Sequence, residues 1–151
     1  MAQDSDINVK VVAIRDYLRS NFDDPIGGQR QWIHYDTLEG GLESPEAGKT
    51  PCVFIERVPS VFGWQGVGSA ERIDGIVIDI HSIIRFNDTG SIDGNQYKRN
   101  ELLDKITQTI DELLLTNATS ITGIAWVNRI SLGGVLKTDM FKISTWRYII
   151  Q

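Results

Sequence analysis

Cysteine is almost missing from this chain: Cys52 stands alone. That excludes an internal disulfide framework and a cysteine-built zinc site within one chain. Proline (4) and glycine (14) are too few among 151 residues for a low-complexity polymer. No apolar run approaches the roughly 18 residues that a membrane span needs. The longest are pieces such as Val11–Ile14 and Leu113–Leu115. The opening Met-Ala-Gln-Asp-Ser-Asp carries neither a basic stretch nor an apolar one, so no signal peptide is expected. What remains is ordinary globular material, 41% hydrophobic and 23% charged. It suffices for one domain over residues 1–151, expected to be soluble and made in a cytoplasm.

Basic charge is also scarce where it would matter for nucleic acid. The net charge is -5, and residues 1–56 hold ten Asp/Glu against five Lys/Arg, which accounts for all of it. In the last 31 residues Asp139 is the only acid, beside Arg129, Lys137, Lys142 and Arg147. No Lys/Arg cluster resembles a phosphate-tracking surface, so sequence-specific DNA binding is not expected. An acidic surface past which DNA slides without sticking remains compatible with this balance.

Periodicity supplies the elements. Ile7, Val11, Ile14 and Leu18 form the stripe of an amphipathic helix, with Asp4, Ser5 and Asp6 at its expected N-terminus and Asp23-Asp24-Pro25 and Gly27-Gly28 stopping it. Gln31–Thr37 reads as a short strand, and Leu38–Thr50, with three glycines and three glutamates, as a mobile loop. Cys52–Val58 reads as a strand with apolar residues on both faces, and Ser60–Ala70 as a glycine-rich loop or bulged hairpin arm. A long strand follows, placing Ile76, Ile78, Ile80, Ser82, Ile84 and Phe86 on one face and Asp79, His81 and Arg85 on the other.

A second helix is expected from about Asp93, where Asp93 and Gln96 have capping-box spacing. Its buried stripe is Leu102, Leu103, Ile106, Ile110, Leu113 and Leu114. Two strands, about Gly123–Leu132 and Met140–Ile150, then form a long hairpin joined through Gly133-Gly134 and a polar loop. Ile124, Trp126, Ile130 and Leu132 alternate on one face, with Trp126 expected in the core. The order α-β-β-β-α-β-β predicts an α+β fold with two helices on a mainly antiparallel sheet.

Chemistry is harder to find. The two histidines, His34 and His81, belong to no metalloprotease, nucleophile-elbow or P-loop motif. Gly66-Val67-Gly68 lacks the third glycine and the helix that a dinucleotide loop requires. Asp79 and His81, two apart on one strand face, could orient an imidazole as a general base. No nucleophile or third ligand accompanies them, so a polar strand face, solvated or paired across a subunit boundary, is the plainer reading. Cys52 behaves as a small buried hydrophobe. No enzyme, cofactor or metal is expected.

Aromatics are the unusual part. Phe62 and Trp64 sit in the glycine-rich segment, a poor place for core residues, and exposed large apolar groups mark partner surfaces. With Arg129 and Lys137 they are the candidate residues of a subunit or ring interface.

The layout resembles the tail-terminator, or tail-completion, proteins of tailed bacterial and archaeal viruses. Three features carry the likeness over nearly the whole chain. They are the short N-terminal helix ahead of a loop, the proline-led strand Thr50-Pro51-Cys52-Val53-Phe54-Ile55, and the long strand Ile73–Phe86 followed by a polar turn, the helix Asn95–Leu115 and a terminal hairpin. The resemblance implies a self-assembled ring, typically a hexamer, that caps the tail tube and joins it to the head-tail connector. Its partners would be the tail tube protein and the connector protein at the virion neck, and DNA would pass through without sequence-specific binding. Such proteins have no catalytic residues to carry over. The acidic segment Leu38–Thr50 and the Trp-bearing segment Ser60–Ala70 depart from the family pattern. They leave a neck or head-completion adaptor as the alternative, with a small binding module or enzyme using Asp79 and His81 as the second.

Overall fold

The N-terminal stripe forms helix α1, Ala2–Asn21, in a computed structural model that describes residues 2–27, 31–35, 50–58, 75–138 and 140–151. The helix begins ahead of Asp4–Asp6, so these residues lie within its first turns and not before them. Val11, Ile14 and Leu18 are fully buried, as their three-and-four spacing requires. Just beyond the helix, Phe22 meets Trp32 edge-on, ring centroids 4.8 Å apart. Trp32 Nε1 donates to the Phe22 carbonyl at 3.3 Å, so this buried indole keeps its polar atom paired.

Among the described residues, five strands make the main sheet. Strand β1 is Ile33–Tyr35, β2 is Cys52–Arg57 and β3 is Ile76–Arg85. After a small hairpin and helix α2, described next, come β6, Val127–Lys137, and β7, Phe141–Ile150. The order across the sheet is β1-β2-β3-β7-β6. Only the β1–β2 pairing is parallel; β2–β3, β3–β7 and β7–β6 are antiparallel. The fold is α+β with a mainly antiparallel sheet.

Between β3 and α2 the chain departs from the expected order. Thr89–Ile92 (β4) and Asn95–Lys98 (β5) pair as a two-stranded hairpin, and helix α2 runs from Arg99 to Thr116. Asp93 does not cap a helix. It and Gly94, at φ 52° and 80°, are the two central residues of the hairpin turn. A two-residue loop with both residues left-handed matches the twist of paired strands, and Asp-Gly is among its favoured sequences. This hairpin is tied to the turn after α1 by Ser91 N–H donating to Pro25 C=O at 2.7 Å.

Both helices feed one core. Val11, Ile14 and Leu18 from α1 and Leu102, Leu103, Ile106, Ile110 and Leu114 from α2 join Val53, Ile55, Ile78, Ile80, Ile84, Tyr148 and Ile150 of the sheet. The opposite sheet face carries a smaller cluster, Cys52, Ile83 and Ile143, flanked by Phe54 and Phe141. Strand β3 is therefore buried on both faces, and the polar face at Asp79 and His81, expected to be solvated or paired across a subunit boundary, is buried within the chain.

The terminal hairpin is longer than its sequence suggests. Gly133-Gly134 lies inside β6 where the ladder with β7 slips between Leu132 and Val135, with Gly134 at φ 80°. The first strand of the hairpin runs on to Lys137 and the second begins at Phe141. Trp126 precedes the strand at the sheet edge and is 39% exposed, correcting its placement in the core. Val127 takes the buried place at the start of β6, one position after Trp126, and the slip beside Ile130 leaves that residue exposed as well.

Candidate functional site

Strand β6 is an edge, and its outer side finds no further strand among the described residues. Towards the end of the hairpin Val135, Leu136 and Met140 are 59%, 61% and 53% exposed. An open edge carrying large apolar residues favours pairing with another chain. The bulges in β6 twist that edge and limit indiscriminate pairing.

The candidate cations sit on this hairpin but differ in their engagement. Arg129 Nη1 donates to Asp111 Oδ2 of α2 at 2.7 Å, and its guanidinium lies 4.9 Å from the centre of the Trp146 ring. Tyr148 Oη donates to the other Asp111 oxygen at 2.8 Å. Arg129 thus helps bind α2 to the sheet. Lys137 is exposed, its ammonium 5.6 Å from the Phe86 ring, and faces Lys142 directly across the hairpin. Like charges directly opposite repel, so the hairpin end is a basic spot that favours an acidic partner. Phe62 and Trp64 lie outside the described residues, as do residues 38–49 and 60–70 of the two expected loops.

A second concentration of chemistry occupies the sheet face away from the helices. Glu56 of β2 is the register partner of Asp79 of β3, which in turn faces Arg147 of β7. His81, two residues along β3, lies between Phe54 and Thr145. Arg147 grips Asp79 with a fork: Nε donates to Oδ1 at 2.7 Å and Nη2 to Oδ2 at 3.0 Å. His81 Nδ1 shares a hydrogen bond with Thr145 Oγ1 at 2.7 Å. Its Nε2 is buried 3.8 Å from Glu56 Oε1, too far for a hydrogen bond.

Burial holds the His81 imidazole below its ordinary pKa, although Glu56 and then Asp79 pull the other way. The ring is therefore predominantly neutral at pH 7. Asp79, which could have oriented that imidazole, is committed to Arg147, and Thr145 is the side chain bonded to the ring. Sequence reasoning singled out Asp79 and His81 and missed Glu56, Thr145 and Arg147. Alternation alone puts Asp79 and His81 on one face, whereas the other three arrive through strand register at long sequence separation.

No family model matches the chain, and no curated protein matches it in sequence.

Proposed function

We propose that this chain is a structural ring subunit of a tailed virus, a tail terminator that caps the tail tube and joins it to the head connector. The observation that carries the reading is the β6–β7 hairpin, which combines an open strand edge, exposed Val135, Leu136 and Met140, and a basic end at Lys137 and Lys142. A head-to-tail contact that repeats around an axis closes a ring when the rotation is right. An edge hairpin suits such a contact because its exposed apolar residues and open edge can be covered by the next copy. Half of the 20 acidic residues lie in residues 1–56, so an acidic segment of the neighbour is available to the basic end. Burying three such half-exposed side chains contributes about 1 kcal/mol each per interface.

Symmetry-free electron cryomicroscopy of particles from the encoding genome tests the reading. Multiple copies arranged as a ring between tail tube and connector are expected. A single copy, or none at the neck, overturns it.

A further inference from the structure

We propose that Glu56, Asp79 and His81 form a site for a divalent transition-metal ion, with Zn²⁺ the ion their donor set fits best. Their ligand atoms, one imidazole nitrogen and two carboxylate oxygens, all lie within 4.8 Å of one another. A bound ion with bonds of about 2.0–2.2 Å brings its ligands to roughly 3–3.4 Å apart. Glu56, half exposed and 3.8 Å from His81 Nε2, can close its side of that gap by a small swing.

The second observation is the orphaned His81 Nε2. His81 is 5% exposed, and this nitrogen has no hydrogen-bond partner although it looks towards the Glu56 carboxylate. A buried polar atom left unsatisfied costs free energy that native structures rarely leave uncompensated. In the tautomer whose Nδ1–H donates to Thr145 Oγ1, the lone pair sits on Nε2, and a carboxylate oxygen offers that lone pair no proton. A cation between the two satisfies both. The same Nδ1 bond is the outer contact that fixes ring orientation in metal-bound histidines.

Arg147 does not block the site. Its fork uses one lone pair on each Asp79 oxygen, and an ionised carboxylate has about four. A hydrogen-bonded carboxylate is the usual condition of a metal ligand, with the guanidinium holding it in place. Two carboxylates stand beside the one guanidinium, so a cation is still attracted. One imidazole among the donors selects zinc-like ions over Mg²⁺ and Ca²⁺, which prefer all-oxygen sets. The site does not depend on the ring reading.

Calorimetric titration of the full chain with Zn²⁺, Mg²⁺ or Ca²⁺ at pH 7.5 tests this, with imidazole nitrogen chemical shifts recorded by NMR in parallel. One equivalent of Zn²⁺ should bind, shift His81 Nε2 and raise the thermal midpoint, while Mg²⁺ and Ca²⁺ bind far more weakly. Glu56→Gln, a half-exposed position where folding is safe, should weaken Zn²⁺ by more than the roughly 10–100-fold of an outer partner, and Thr145→Val by about tenfold. His34→Gln should bind as the wild type does. Absence of Zn²⁺ binding, unchanged affinity in Glu56→Gln, or a shift confined to His34 overturns the site.

Discussion

Asp79 and Arg147 show how a buried charge depends on its partner. The carboxylate is largely withdrawn from water, while its guanidinium partner keeps about a third of its surface exposed. Removing the cation strands the anion, so Arg147→Met should lower unfolding stability by about 3 kcal/mol in urea titration. Pairing that change with Asp79→Leu should recover most of the loss, because a well-packed apolar pair can replace a buried ion pair. Tyr148 carries a different dependence. Burial first, and then its bond to Asp111, push its phenol far above the ordinary value near 10. The raised native value means stability is intact below about pH 10 and falls above it, where the unfolded chain ionises first. Unfolding at pH 8 and pH 11 should show that fall in the wild type and a smaller one in Tyr148→Phe. The sequence made Asp79 and His81 visible because a period of two is local. It hid Arg147, 68 residues away, because nothing local records which strands become neighbours.

The β4–β5 hairpin separates two kinds of glycine. At Gly94 a Cβ meets nothing within 4 Å, and only the left-handed backbone opposes a side chain. Gly94→Ala should therefore cost about 1 kcal/mol. At Gly90 the same atom lands 2.7 Å from Pro25 Cβ and 3.1 Å from its carbonyl oxygen. Gly90→Val should cost more, at least about 2 kcal/mol, by prying the hairpin off the turn after α1. Urea midpoints for the two variants check the order, and equal losses would contradict it. Much of the element pattern was legible: both helical stripes, the short and long strands and the final hairpin follow from spacing. The small hairpin was missed although Asp93-Gly94 is a turn signal, since Asp93 and Gln96 also fit a helix cap and the two motifs share residue types. The reach of β6 was missed because a glycine pair reads as a break, whereas here it is absorbed as a bulge.

Across the whole molecule, stability and assembly should be separable. Val135 and Leu136 are mostly exposed within one chain, so Val135→Lys with Leu136→Glu should leave monomer stability within about 0.5 kcal/mol. On the proposed ring reading, the same pair should abolish assembly, seen by native mass spectrometry or electron microscopy of assembly mixtures; rings that persist would contradict a contact through this hairpin. The strand order has a consequence for synthesis. The middle of the sheet is β3 against β7, two segments joined across some 55 to 75 positions of chain, and β7 closes at Ile150. A ribosome making this protein releases α1, β1, β2 and β3 long before the strand that completes them emerges. Until then one side of β3 stays bare, and the nascent chain depends on chaperones or speed to avoid pairing with the wrong neighbour.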